Sequence, residues 1–196
     1  KGDGIKTNGS DIITFRRLRV EWTGGPKATN GGYGLYPVES TDVLIEDSVV
    51  RGASDAGVYV GQSDRIIVRR NLAELNVAGI EIENSYNADV YENVATRNTG
   101  CILIFDLPNL KQNGGHSVWV FNNEIVNNEP PNFAPEVNIV ATVPMGTGVL
   151  IMANRNVHVF ENRFDENAMI HIGVVSYFED YKDDDYQPHP RGIVIR

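Results

Sequence analysis

One phrase is written six times along this chain, and it constrains the fold more than any other feature. The clearest copies are IIVRRNLAELN (66–76), ADVYENVATRN (88–98), VWVFNNEIVNN (118–128) and VHVFENRFDEN (157–167). Each has two apolar residues spaced by two, an Asn three places later, another apolar residue, and a closing Asn. ITFRRLRVEWT (13–23) and VLIEDSVVRGA (43–53) keep the apolar spacing without the Asn residues. The first-Asn position falls at Leu18, Ser48, Asn71, Asn93, Asn123 and Asn162, so the phrase returns after 30, 23, 22, 30 and 39 residues. A minimum period of about 22 with tolerated insertions is the mark of stacked coils with loops on their edges.

A second pattern runs in phase. Gly-Φ-x-Φ, with Φ apolar, begins at Gly34, Gly57, Gly79, Gly148 and Gly173, more weakly at Gly4 and Gly192, and Cys101 takes the Gly place in one coil. Each period therefore holds at least two short alternating strands separated by turn residues, and no window has the 3.6-residue period of a helix. Because the identical phrase returns only after a full coil, like stacks on like in parallel at ~4.8 Å. The expected fold is all-β: a single-stranded parallel β-helix of about seven coils over 1–196. Val50, Ala73, Ala95, Ile125 and Phe164 fall in one column of its core. The Asn columns read as structural, with Asn adopting left-handed turn conformations and bonding to its neighbours above and below. Cys101, set among apolar residues, reads as a buried small hydrophobe.

The pattern resembles the parallel β-helix repeat of right-handed β-helix proteins, a group rich in polysaccharide lyases, hydrolases, epimerases and phage tailspikes. The resemblance spans roughly residues 4–177 and implies a right-handed solenoid. YGLYPVES, DAGVYVGQS and AGIEIENS, within 33–85, are most similar to bacterial proteins described only as parallel β-helix domain-containing. Tyr33-Gly34-Leu35-Tyr36-Pro37-Val38 is similar to the Tyr-Gly-Phe-Asp-Pro-His motif of mannuronan C5-epimerases. Tyr36 and Val38 replace that motif's acid–base Asp and His, which counts against epimerase chemistry by that route.

Composition narrows the partners. A net charge of −9 and a pI near 4.9 argue against nucleic acid. No stretch reaches the ~20 apolar residues of a membrane helix, and one cysteine allows no internal disulfide framework. Both ends look cut, so further coils or caps are expected, as is an extracellular, periplasmic or cell-surface location. Register sets Glu46, Arg69 and Tyr91 in one outward column and Asp47, Arg70 and Glu92 in the next. Those arginines read as inter-coil ion pairs.

Three insertions interrupt the repeat, near 106–117, 129–147 and 179–190, and insertions on a rigid scaffold are where function collects. The last contains Asp183, Asp184 and Asp185, which could gather calcium, although consecutive acids point apart and a solvated loop is the plainer reading. Otherwise no cofactor is implied, and the four histidines have no metal-ligand spacing. The outward positions of the Gly-Φ-x-Φ strands put Tyr36, Tyr59 and Glu81 in one column, the candidate catalytic set. Around it lie candidate glycan-binding residues: Tyr33 upstream, then Glu39, Gln62, Asn84 and Asp106, with Glu83 between. Tyrosine can act as acid or base in a lyase, and Glu39 and Glu81 could together serve an inverting hydrolase, which needs two carboxyls ~6.5–9.5 Å apart. Trp119 and His158 share a column on another face, where Trp119 reads as a sugar platform or as packing beneath an insertion. Two functions stay open: a carbohydrate-active enzyme acting on a polysaccharide, with uronate one candidate, or a non-catalytic scaffold, glycan-binding or adhesion module.

Overall fold

The structure is a computed structural model and describes residues 2–196. It is a parallel β-helix in which each complete coil contributes one strand to each of three parallel sheets, of seven, seven and six strands. The Gly-Φ-x-Φ segments form the first sheet, as in Ala56–Gly61, Ala78–Glu83 and Gly100–Phe105. The opening of the repeated phrase forms the second, as in Asp64–Arg69, Tyr86–Tyr91 and His116–Phe121. The stretch between the two Asn positions forms the third, from three-residue strands such as Leu72–Glu74 and Val94–Thr96. Register is as the repeat demands: Val50 lies on Ala73, Ala73 on Ala95, Ala95 on Ile125, and Ile125 on Phe164.

The Asn columns are buried hydrogen-bond ladders. At the first, Asn71 N–H donates to Asn93 Oδ1, Asn93 N–H to Asn123 Oδ1 and Asn123 N–H to Asn162 Oδ1, each at 3.0 Å. The second repeats this through Asn76, Asn98 and Asn128 at 2.9 Å. A serine version joins Ser40, Ser63 and Ser85 at 3.1 Å between the first and second sheets. The left-handed backbone expected of the ladder Asn residues belongs instead to the residue just before each. Arg70, Glu92, Asn122 and Glu161 have φ of 53°, 55°, 52° and 53°. That left-handed residue bends the chain at the corner, so the next side chain turns inward onto the neighbouring coil.

The repeated Gly has a steric cause. A Cβ at Gly57 would lie 2.7 Å from Asn76 Nδ2 and 2.9 Å from the Gly79 carbonyl oxygen, so the ladder and the next coil together exclude a side chain. Cys101 is buried, its Sγ donating to the Ala95 carbonyl at 3.0 Å, and burial pushes its thiol pKa up. The arginine columns are ion pairs. Buried Glu46 accepts from Arg69 and Arg70, both at 2.7 Å, and from Arg16, and Asp47 accepts from Arg70 at 2.7 Å. The Arg69 hydrogen bond, reinforced by Arg16, holds Glu46 below the usual carboxylate range.

The two large sheets differ on their outer sides. Second-sheet strands alternate between buried and more exposed residues, whereas Ala56–Gly61, Ala78–Glu83 and Gly100–Phe105 are buried at every position. The first sheet's outer face is covered. Val140 and Val143 of the 129–147 insertion, Leu107 of the 106–117 insertion, and Tyr177 and Tyr186 near the third pack into one cluster with Tyr59, Leu103, Phe105 and Met152. Tyr186 also donates its hydroxyl to the Asp106 carbonyl at 2.6 Å. A sheet buried on both faces reads as nearly continuous apolar sequence. The later outward residues Leu103, Phe105, Leu150 and Met152 fit that rule, and the glutamates do not.

Candidate functional site

Beneath the cover lies a cluster of tyrosines and carboxyls. Ladder pairing places Glu81 between Tyr59 and Leu103 on adjacent coils. The rings of Tyr33, Tyr36 and Tyr59 lie 4.3, 4.7 and 5.0 Å apart, the last pair edge-on. Tyr59 donates its hydroxyl to Glu83 Oε1 at 2.6 Å, and Asp55 accepts from Asn138 Nδ2 of the 129–147 insertion at 2.7 Å. Both carboxylate oxygens of Glu81 are buried and neither has a hydrogen-bond partner among the described residues. A buried polar group in that state needs an explanation.

Burial dominates the electrostatics of this cluster. It raises Asp55 to about 6, opposed by hydrogen bonds from Tyr33 and Asn138, and Glu83 to about 7, opposed by the bond from Tyr59. Glu81 is pushed well up by desolvation, with Asp55 and Glu83 adding like-charge repulsion. Carboxyls raised in this way hold a proton to higher pH than ordinary ones, as a general acid must. Desolvation also raises the phenols of Tyr33 and Tyr59, above all other causes. In this closed arrangement Tyr59 is a proton donor to Glu83, which argues against Tyr59 as a base.

The expected residues do not form one open face. Tyr59, Glu81, Glu83, Asn84 and Asp106 are buried, so the insertions seal the polar column that the register sets outward. Asn84 and Asp106 fasten a loop. Asn84 Nδ2 donates to the carbonyls of Leu107 and Gln112, both at 2.8 Å, and Asp106 accepts from the N–H groups of Gly114 and Gly115 at 3.2 and 2.7 Å. Glu39 lies exposed at a corner, paired with Lys111 Nζ at 2.8 Å, outside the sealed cluster that holds Glu81. The two do not face each other as a hydrolase pair. Trp119 sits on the second sheet, 46% exposed and uncovered, its ring 5.8 Å from His158. It is therefore not packing beneath an insertion, and it belongs to a different face from the tyrosines. Asp183 is occupied by Asn109 N–H at 2.9 Å and Asn113 Nδ2 at 3.1 Å. Among the described residues no three acidic, His or Cys side chains gather as a metal site.

Separate open clefts lie along the seam between the first and second sheets. Where the 106–117 insertion folds over the corner, Glu39, Gln62, Asp64, Tyr86, Lys111 and Gln112 line a cleft of about 410 Å³. Register places Asp64, Tyr86, His116, Arg155 and Arg191 in one column along this seam. Tyr86 stacks on His116, with ring centroids 4.4 Å apart and planes at 16°. A second cleft of about 220 Å³ takes in Asp106, Arg155, Asp185 and Arg191. Among the described residues Arg155 and Arg191 form no ion pair, in contrast to Arg51, Arg65, Arg69 and Arg70. Of the residues lining these clefts, the repeat register points to Glu39, Gln62 and Asp106. Tyr86, Arg155 and Arg191 were findable by extending the register of the Trp119–His158 column three residues upstream. Asp55, one step before its Gly-Φ-x-Φ strand, carried no such signal.

The family model described as right handed beta helix region matches residues 2–180. Among solved structures, a double mutant of the periplasmic alginate epimerase AlgG superposes with a TM-score of 0.68 at 16% identity, covering 98% of this chain and 44% of that one. The Azotobacter vinelandii mannuronan C-5 epimerase AlgE4 A-module superposes at 0.50 and 17% identity, covering 94% and 53%. At such identities the likeness is one of fold, and the chain spans about half the length of these structures. No curated protein matches the chain by sequence. No helix among the described residues is long and apolar enough to cross a membrane.

Proposed function

The chain belongs to the right-handed β-helix family, whose interior is a packed core, and we propose that its outer seam groove binds a polysaccharide. The observation that carries this reading is the column Asp64, Tyr86, His116, Arg155 and Arg191. Four coil steps of ~4.8 Å make it ~19 Å long, which suits a polymer better than a single small molecule. The stacked Tyr86 and His116 rings offer an apolar edge along which a sugar ring can lie. Glu39, Gln62, Asp64 and Gln112 offer hydroxyl partners. Two arginines that form no ion pair among the described residues, although Asp106 lies within electrostatic reach of Arg155, favour a glycan bearing acidic groups, such as a uronate polymer. A secreted, periplasmic or surface setting is part of the same proposal, because such polymers are met outside the cytoplasm.

A second reading adds catalysis, favoured by one observation: carboxyls with raised pKa values beside three tyrosines. In that reading Glu81 or Glu83 protonates a leaving group after the cover moves, and the protein is a lyase or hydrolase. A panel of uronate and neutral polysaccharides tests both readings, scored for binding by calorimetry and for turnover by 235 nm absorbance and reducing ends. Binding weakened at least about tenfold by Tyr86→Ala or Arg155→Ala is expected. No binding to any polymer would leave a structural role and end the groove reading. Binding without turnover would end the catalytic one.

A further inference from the structure

The sealed acid cluster is costly as pure architecture. A carboxyl with both oxygens buried and unpartnered forfeits its hydration without replacement, and Glu81 does so between two other buried acids. Solenoid packing does not require it, since the same outward column holds Leu103 and Leu150 in later coils. The cover excludes water from this sheet face, and the 129–147 insertion contributes Val140 and Val143 to it.

That insertion is braced internally. Asn132 Nδ2 donates to the carbonyls of Val140 and Val143 at 2.9 and 3.0 Å, tying the segment to itself around the short 3-10 helix Ile139–Thr142. Pro130 and Pro131 lie at its start, and Gly146, with φ of 87°, near its end. Its contact with the sheet is apolar, through Val140 and Val143. Among the described residues, the only side-chain hydrogen bond from the middle of the insertion to the coils runs from Asn138 to Asp55.

We propose that the 129–147 insertion is a lid, latched by Asn138 on Asp55, that opens as the carboxyl cluster beneath it ionises and thereby exposes Glu81, Glu83 and the tyrosines. The inference stands whether or not the seam groove holds a glycan. Around Glu81, its own strand supplies Glu83, and the preceding coil supplies Asp55 and Tyr59. The Tyr33–Val38 strand supplies Tyr33 and Tyr36, and the next strand supplies uncharged Leu103. The lid supplies Asn138, on Asp55, and valines packed with Tyr59 and Leu103; Asp106, beside the C-terminal loop's Tyr186, adds repulsion at Glu83. Asp3 adds repulsion at Asp55, and the nearby cation Lys6 lies over the Tyr36 ring at 4.4 Å. Nothing cationic from these elements compensates Glu81.

The direction follows from linkage. These carboxyls have raised pKa values when closed over, so closure is fully favoured below their ordinary range near 4.5 and is weakened as pH rises through about 6 for Asp55 and about 7 for Glu83. The bond from Asn138 opposes this at Asp55 without reversing it.

Hydrogen–deuterium exchange of peptides covering 129–147, corrected for intrinsic rates, tests the lid between pH 5 and pH 8. Protection should fall at least about tenfold over that range, one pKa unit being a tenfold change, while the second-sheet strand Asp64–Arg69 stays protected. Glu81→Gln should hold the lid closed at pH 8, with Glu83→Gln as a second variant acting the same way. Asn138→Ala should loosen the lid already at pH 5. A flat corrected profile in the wild-type protein overturns the proposal whatever the variants do. So does an equal fall in the lid and in the Asp64–Arg69 strand, which would report global loosening.

Discussion

Asn93→Ala is the sharpest test of how the coils are held together. Its side chain makes four buried hydrogen bonds. Oδ1 accepts from Asn71 N–H and Asn71 Nδ2, both at 3.0 Å, and Nδ2 donates to the Val68 carbonyl at 2.9 Å and to Asn123 Oδ1 at 3.0 Å. At ~1 kcal/mol net per bond the loss is ~4 kcal/mol, and stranding the buried Asn71 N–H pushes it no lower. For a domain of this size that corresponds to a fall in Tm of ~8–16 °C. Asn122→Ala is the internal comparison. Asn122 is exposed and left-handed, with φ of 52°, so its loss costs only the backbone preference, ~1 kcal/mol. Urea denaturation followed by circular dichroism, with calorimetry for Tm, separates the two. Equal destabilisation by both variants, or less than ~1 kcal/mol from Asn93→Ala, would refute the ladder argument and return the Asn columns to turn propensity.

Further outcomes follow from other parts of the solenoid. Gly57→Ala should destabilise the protein by ~2 kcal/mol or more, because the new Cβ meets Asn76 and the Gly79 carbonyl; a thermal melt within 2 °C of wild type (~0.5 kcal/mol) would contradict the close approach. Wild-type stability should decline between pH 5 and pH 8, since Glu83 rises to about 7 when folded and its protonated form is the one the fold prefers. That shift is worth roughly 2–3 kcal/mol, and a pH series of melts on wild type and Glu83→Gln reads it, the variant losing less. Cys101 should resist thiol reagents in the native protein and react fully after denaturation, given its burial and raised pKa; rapid native labelling would mean that its coil opens.

Much of the architecture was legible because the repeat is a register. Once Asn71, Asn93 and Asn123 align, the core column of Val50, Ala73 and Ala95 follows, and so do the pairs Glu46–Arg69 and Asp47–Arg70. Even the role of Gly57 was implied by its return, although its steric reason needed the position of Asn76. The site was less legible. Tyr36, Tyr59 and Glu81 do share a column, but the periodic pattern carries no information about segments that interrupt it. Val140 and Val143 therefore gave no sign that they close over that column, nor Asn84 and Asp106 that they anchor a loop.

By itself the sequence determined the coil, its period, its sheets in parallel and the residues stacked on one another, since those depend on contacts between identical phrases one turn apart. Which outward column is wet and which is sealed was settled by the folded molecule alone. That choice depends on where the insertions fold back, and it turns on contacts between residues as far apart as Asp55 and Asn138. Such contacts are set by apolar burial and a few hydrogen bonds with no period to announce them. The same chemistry of tyrosine and carboxyl is a hydrophilic surface in one case and a desolvated cluster with raised pKa values in the other, and the difference lies in the cover.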